Sequence, residues 1–189
     1  NSKEMLGYLR TVSNDLNETI INLTQIVQIQ SNTNIPMAAL DLNLYLNKTL
    51  DLIRDLKNKN QVTIINEIPK GVSVDFNPAY LESILLNFTT NAIKYSNIEK
   101  QNVIKYTFLV EDGMKTLSIS DNGLGIDLKK HGDSLFGMYK TFHSHKEANG
   151  LGLYITKNQI ESMKGSVSVE SEVGVGTTFK ITFNDSLNN

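Results

Sequence analysis

Residues 86–95 form the first of three short segments whose residue types and spacing could contact a ligand. Asn87 and Asn91 stand four residues apart, so they share one face of a predicted helix, and Lys94 and Tyr95 follow on or beside that face. Amide oxygens and a lysine together suit a hydrated Mg²⁺ ion that carries phosphates. Taken alone, the same spacing also fits the polar edge of a helix that binds nothing.

The second segment, residues 121–127, directly follows a predicted strand. Gly123 and Gly125 allow the backbone to turn tightly and to approach a ligand. Asp121, at the end of the strand, could accept a hydrogen bond from an exocyclic amine. The alternative is an ordinary Asn-Gly turn without a ligand.

The third segment, residues 149–154, places Gly150 and Gly152 at the predicted start of a helix. Free backbone N–H groups at a helix start attract phosphate. The spacing is neither that of a P-loop nor that of the dinucleotide-binding fingerprint. A glycine-capped loop that binds nothing is the alternative here.

Residues 128–149, between the glycine-rich segments, are predicted to form a lid that opens for ligand exchange. Aromatic and cationic side chains alternate in this stretch, and large aliphatic ones are few. His143 and His145 lack a third ligand, so the pattern disfavours a zinc site.

These segments need a scaffold, and hydrophobic periodicity with turn residues predicts one. Predicted helices span residues 42–57, 78–94 and 151–163, the second of them starting at Asn77-Pro78 because proline suits a first helical turn. Predicted strands span residues 62–67, 72–75, 103–110, 115–120, 166–171 and 177–183. The mixture predicts an α+β domain with helices on one face of a mixed, mostly antiparallel sheet.

Residues 5–30 have the pattern of a polar helix with one apolar seam. The seam consists of Leu6, Leu9, Leu16, Ile20, Leu23 and Val27. Such a helix is marginal alone and needs a partner, which is either its own domain or another helix. The break at residues 31–36 sets a predicted boundary between an N-terminal helix with its linker, residues 1–34, and a domain of residues 35–189.

Composition narrows the class of protein. Hydrophobic residues make up 40% of the 189 residues, which is enough for a core, and the net charge of −2 gives no basic field for nucleic acid. The absence of cysteine excludes disulfides and thiolate metal sites and is compatible with a cytoplasmic location. No apolar run approaches the roughly 20 residues that span a bilayer, so any membrane anchor is expected outside this sequence.

The order of the motifs resembles the N, G1, F and G2 boxes of the ATP-binding domains of sensor histidine kinases. The pattern is Asn-x-x-x-Asn-Ala-x-Lys-Tyr, then Asp-x-Gly-x-Gly-Ile, a Phe-rich segment, Gly-Leu-Gly-Leu and Gly-x-Gly-Thr-x-Phe, and it covers residues 42–183. The resemblance implies the two-layer α/β sandwich (Bergerat fold) of the gyrase, Hsp90 and MutL ATPases. It also implies ATP and Mg²⁺ as cofactors.

The resemblance implies a role for each matching residue. Asn91 matches the magnesium ligand, Asp121 the acceptor for the adenine amine, and Thr177 a threonine beside that contact; Lys94 and Tyr95 match positions near the phosphates and the base. The residues that match the nucleotide-flanking and lid positions are Gly123, Gly125, Ile126, Gly150, Leu151, Gly152 and Leu153. The lid cation that meets the phosphates is left open among Lys140, His143 and Lys146.

Asn87 decides between two kinds of chemistry within this resemblance. Hydrolysing relatives have a glutamate there as a base for water, and an amide cannot take that proton. The resemblance therefore implies phosphoryl transfer to a protein histidine, with Asn87, Asn91 and Lys94 as the catalytic residues. His131, His143 and His145 lie in or beside the lid, so the acceptor is expected upstream, on the first helix of a dimerising hairpin whose second helix is residues 5–30.

The implied partners are a response regulator receiver domain, an upstream sensor domain and a second copy of the chain in the full-length protein. Nucleic acid is not among them. Two alternatives stay open at this point: an ATPase of the same superfamily that works as a conformational clamp, and an ATP-binding scaffold without catalytic activity.

Overall fold

A computed structural model describes residues 5–10, 12–13, 20, 24, 27, 35–137 and 151–184. Its helices are α1 (Leu42–Leu52), α2 (Arg54–Lys59), α3 (Pro78–Lys94), α4 (Leu128–His131) and α5 (Gly152–Ser162). Its strands are β1 (Ala38–Asp41), β2 (Thr63–Glu67), β3 (Ser73–Phe76), β4 (Val103–Glu111), β5 (Met114–Asp121), β6 (Ser166–Glu172) and β7 (Gly176–Phe183).

Five of the described strands form one sheet in the order β2-β4-β5-β7-β6. The pair β2–β4 is parallel, and the other three neighbouring pairs are antiparallel. Helix α3 packs on this sheet through Phe88, whose ring stacks on Phe179 of β7 with 4.4 Å between the ring centroids. The predicted α+β sandwich with a mixed, mostly antiparallel sheet is confirmed.

Helix α3 begins where the sequence predicted. Asn77 is its N-cap and accepts a hydrogen bond from Tyr80 N at 3.0 Å, and Pro78 occupies the first turn. The inward face of the helix carries Leu81, Ile84, Leu85, Phe88, Thr89, Ala92 and Ile93, which are all buried. The opposite face is left to carry polar residues.

Two features of the scaffold differ from the prediction. Strand β1 pairs with β3 in a separate ribbon, and its two alanines gave no strand signal in the sequence. The predicted helix of residues 42–57 is interrupted at Ile53, whose φ of −103° and ψ of 19° leave the helical range. The side chain of Ile53 is buried there, at 7% exposure.

The start of the predicted lid is a folded part of the domain. Helix α4 and the 3₁₀ turn Gly132–Ser134 lead to Leu135, which is 1% exposed in the core. Phe136 contacts Phe179 edge to face, with 6.4 Å between their centroids. The remainder of the predicted lid, residues 138–149, lies outside the described residues.

In the N-terminal segment the described residues 5–10, 12–13, 20, 24 and 27 are helical. The described members of the predicted seam are exposed, at 65% for Leu6, 55% for Leu9, 54% for Ile20 and 63% for Val27. Leu16 and Leu23 lie outside the described residues. None of the described helices is both long enough and apolar enough to cross a bilayer.

Candidate functional site

Helix α3 presents Asn87 and Asn91 side by side, as their spacing predicted. Asn91 Nδ2 donates to Asn87 Oδ1 at 2.8 Å, and Asn87 Nδ2 donates to Thr156 Oγ1 of α5 at 2.6 Å. Both polar groups of the Asn87 carboxamide are therefore engaged within the protein. Among the described residues no donor reaches Asn91 Oδ1, so this oxygen can serve a ligand.

Asp121 ends β5 with a largely buried carboxylate. Burial raises the pKa of Asp121 from 3.8 to about 6, and backbone hydrogen bonds from Gly123 and Thr177 lower it in part. The bond from Gly123 N to Asp121 Oδ1 is 2.9 Å long. No described cation forms an ion pair with this carboxylate, and a buried acid with a perturbed pKa is a common mark of a functional site.

The loop after Asp121 packs against the end of α3. A Cβ atom on Gly123 would collide with the carbonyl oxygen of Tyr95 and would lie 2.9 Å from Asp121 Oδ1. Leu124 N donates to the same Tyr95 carbonyl at 2.9 Å. Only glycine fits such a close approach, and the contact brings Asp121 next to the helix that carries the two asparagines.

Ser171 on β6 ties this loop to the neighbouring strand. Ile126 N donates to Ser171 Oγ at 2.8 Å, and Ser171 Oγ lies 2.9 Å from Thr177 Oγ1. Thr177 is in turn the register partner of Asp121 in the β5–β7 pair. Gly125 takes a positive φ of 69°, and a side chain there would collide with the backbone of β6. The loop therefore has one defined path past Thr177.

Helix α5 begins directly against the asparagine pair. A Cβ atom on Gly152 would lie 2.8 Å from both Nδ2 and Oδ1 of Asn87, so a larger residue would displace the carboxamide. Leu151 is fully buried together with Ile155, and Leu153 packs against the main core. The first turn of α5 is thereby held between the core and α3.

Lys94 and Tyr95 lie at the open end of α3. The ammonium nitrogen of Lys94 is 5.9 Å from the centroid of the Tyr95 ring, within the range of a cation–π contact. Burial raises the pKa of the Tyr95 hydroxyl, so this group stays neutral at physiological pH. The pair places a positive charge beside an aromatic face, next to the Asp121 loop.

The structure brings the predicted site residues that it describes onto connected elements. They are Asn87, Asn91, Lys94, Tyr95, Asp121, Gly123, Gly125, Ile126, Leu151, Gly152, Leu153 and Thr177. Lys140 and Gly150 lie outside the described residues, as do His143, His145 and Lys146. His131, by contrast, is described and ends helix α4.

Three contacts of the site were missed in the sequence. Thr156 and Ser171 bond to Asn87 and to the Asp121 loop, and Asn122 bonds to the start of β4 by accepting from Val103 N at 2.9 Å. Thr156 stands four residues after Gly152 on the predicted helix, and this spacing was the available signal. Nothing in the local pattern distinguished Ser171 from other strand serines.

Solved structures with similar folds include histidine kinases. A histidine kinase AdeS from Acinetobacter baumannii superposes with a TM-score of 0.76 at 20% identity, covering 99% of this chain and 84% of that one. Full-length ShkA, solved in complex with AMPPNP, superposes with a TM-score of 0.78 at 21% identity, covering 96% of this chain and 38% of that one. The fold is therefore that of a histidine kinase catalytic domain.

The sequence matches the profile of one family over residues 76–187. The chain belongs to this family, the histidine kinase-, DNA gyrase B- and HSP90-like ATPases. A relative at the sequence level is the signal transduction histidine-protein kinase ArlS of Staphylococcus aureus strain USA300, 33% identical over 117 residues, or 60% of this chain. The chain spans about a quarter of that relative, 26% of its length.

Proposed function

We propose that this domain binds Mg-ATP and donates the γ-phosphoryl group to a histidine outside residues 1–189, for relay to a response regulator. The observation that carries the proposal is the buried Asp121 carboxylate, which has backbone donors on the protein side and no described cation beside it. Burying a carboxylate costs free energy unless hydrogen bonds compensate for the lost water, and a bound ligand can donate one. The exocyclic amine of adenine supplies the donor that this carboxylate lacks.

The residues present fit a magnesium ion that arrives with the nucleotide. Asn91 Oδ1 is a neutral oxygen ligand of the kind that Mg²⁺ accepts, and Mg²⁺ commonly keeps waters and phosphate oxygens as its other ligands. The described residues contain no group of three or more histidine, aspartate or glutamate side chains that could hold a metal ion alone. The ion would polarise the phosphates, while Lys94 neutralises part of their charge.

Asn87 supports phosphoryl transfer over hydrolysis. An amide has no basic site for a water proton, and both polar groups of this one are already bonded to Asn91 and Thr156. A clamp ATPase needs water activation at this point, so the kinase reading is favoured. The relative ArlS carries "histidine-protein kinase" in its name, which agrees with this reading.

The exposed seam supports the proposed domain organisation. Leu6, Leu9 and Ile20 expose more than half of their apolar side chains on this helix. We assign residues 1–34 to the second helix of a dimerising hairpin with its linker, and residues 35–189 to the catalytic domain. Homodimerisation, an upstream sensor domain, a receiver-domain partner and a cytoplasmic location belong to the same proposal.

The test compares residues 1–189 with a longer protein that includes the upstream hairpin helix. Calorimetry with ATP in the presence of Mg²⁺ should show binding to the short protein. After incubation with γ-labelled ATP, the short protein should carry no stable label, and the longer one should carry an acid-labile, base-stable phosphohistidine. Stoichiometric labelling of the short protein, or hydrolysis as fast as that of a dedicated ATPase, would show the proposal to be wrong.

A further inference from the structure

We propose that Thr156 is a positioning residue that aims the Asn91 carboxamide at the magnesium ion, acting through Asn87; this rests on the function proposed above. The three side chains form a line of hydrogen bonds from the interior to the ligand side of α3. Thr156 has no exposed surface, and it sits on a different helix from the two asparagines. The line therefore crosses from α5 to α3.

The observed hydrogen bonds determine which end of the Asn91 carboxamide faces the ligand. A carboxamide offers an oxygen that accepts and a nitrogen that only donates. Asn87 Oδ1 accepts from Asn91 Nδ2 at 2.8 Å, so the Asn87 nitrogen must find an acceptor on its other side, and Thr156 Oγ1 provides it at 2.6 Å. Asn91 then turns its nitrogen inward and its oxygen toward the ligand.

The Thr156 hydroxyl anchors this arrangement and does not by itself select it, because a hydroxyl can donate as well as accept. Without the hydroxyl, the Asn87 nitrogen loses its partner on α5, and the carboxamide is held less firmly against Asn91. The buried hydroxyl on α5 thus contributes to magnesium affinity through the position of Asn91, without touching the ion.

A second polar contact keeps the two helices in this register. Gln159 Nε2, one turn further along α5, donates to Ser83 Oγ of α3 at 3.2 Å, and Gln159 is only 2% exposed. Gly152, one turn before Thr156, lets the α5 backbone approach the Asn87 carboxamide. The contacts on both sides of Thr156 therefore fix the position of α5 along α3.

The test measures the magnesium gain, defined as the dissociation constant for ATP in excess chelator divided by that in saturating Mg²⁺. Thr156→Val keeps the side-chain volume and removes the hydroxyl, and Thr156→Ser keeps the hydroxyl. Thr49→Val is a matched control, since Thr49 is 1% exposed and its hydroxyl donates to Tyr45 O within α1, in another helix. All variants are made in residues 1–189.

Thr156→Val should lower the magnesium gain about three- to tenfold, the loss of one net hydrogen bond, and change metal-free ATP binding less than about twofold. Thr156→Ser and Thr49→Val should keep the wild-type gain. The side-chain NH₂ resonances of Asn87 and Asn91 should move in Thr156→Val and stay in Thr49→Val. If Thr156→Val does not fold, Thr156→Cys, a weaker acceptor of similar size, should lower the gain in the same direction.

An unchanged gain in Thr156→Val, or equal losses with and without Mg²⁺, would overturn the positioning role even if the wild-type protein binds Mg-ATP as proposed. A wild-type protein that binds ATP without any magnesium gain would overturn the magnesium part of the proposed function as well. Failure of the wild-type protein to bind ATP at all would reject both. The wild-type measurement thus tests the proposed function, and its comparison with Thr156→Val tests the positioning role.

Discussion

Nucleotide binding should depend on pH through Asp121. Burial raises the pKa of this carboxyl to about 6, and its ionised form accepts a hydrogen bond from the adenine amine more strongly than its protonated form does. At that pKa roughly nine-tenths of the groups are ionised at pH 7 and about one-tenth at pH 5. The dissociation constant for ADP should therefore rise as the pH falls from 7 to 5, by about tenfold at most.

The variant Asp121→Asn separates this effect from every other titration. It keeps the side-chain volume, cannot ionise and replaces one acceptor oxygen by a donor. A hydrogen bond to a charged group contributes about 1.5–3 kcal/mol, so the variant should bind ADP roughly ten- to a hundredfold more weakly at pH 7. The pH 5 to 7 trend that remains in the variant belongs to ADP and to other groups.

Titration of Asp121 should also make the free energy of unfolding of the nucleotide-free protein depend on pH. Its pKa in the folded protein lies above the unfolded value of 3.8, so the folded state binds the proton more tightly. This contribution to stability is fully present below pH 3.8 and is lost as pH rises through about 6, by about 3 kcal/mol at most. Asp121→Asn should lack this loss and be the more stable protein at pH 7.

Calorimetric titrations with ADP and urea unfolding at pH 5, 6 and 7 measure both effects on the two proteins. The quantity that decides is the difference between wild type and Asp121→Asn at each pH. A difference in ADP affinity that stays constant from pH 5 to pH 7 would refute the reasoning about the buried carboxylate. Equal affinities at pH 7 would remove the adenine assignment itself.

Three further substitutions have defined outcomes. Asn91→Ala should abolish the magnesium gain in ATP affinity and leave metal-free binding within about twofold, measured by calorimetry with and without chelator; equal losses would mean a purely structural role. Gly123→Ala should weaken ADP binding at least about tenfold because its Cβ meets the Tyr95 carbonyl, whereas Gly132→Ala, whose Cβ has no neighbour closer than 3.9 Å, should not. Asn102→Leu should raise the free energy of unfolding by about 1–3 kcal/mol, since both polar atoms of this buried side chain lack a partner among the described residues; a lower urea midpoint would contradict this.

The sequence predicted the parts of the fold that rest on local pattern. Asn77-Pro78 placed the start of α3, and the turn at Asp112-Gly113, both with positive φ, separated β4 from β5. It did not predict β1, whose strand conformation comes from pairing with β3 rather than from its own residues. The break at Ile53, whose side chain is buried, likewise had no signal in the sequence.

The candidate site shows the same division. The roles of Asn91 and Asp121 were inferred from motifs, whereas the contacts of Thr156 and Ser171 join positions 69 and 45 residues apart in the chain. Local sequence patterns do not show which residues so far apart in the chain come into contact. They also could not reveal that both polar groups of the Asn87 amide bond within the protein, which makes a predicted catalytic residue a candidate support for its neighbour.

The parallel pairing of β2 with β4 has a consequence for how the protein assembles. The hairpins β4–β5 and β6–β7 close through short turns, but the chain between β2 and its partner β4 contains β3 and the whole of α3. We expect contacts between such distant positions to form late. Closing a long loop lowers the chain entropy before the contact contributes any stabilising free energy. We expect the hairpin that carries Asp121 to form before the crossover that carries the asparagines. In a half-folded chain the two sides of the proposed nucleotide site would therefore be apart, and ATP would stabilise only the fully folded domain.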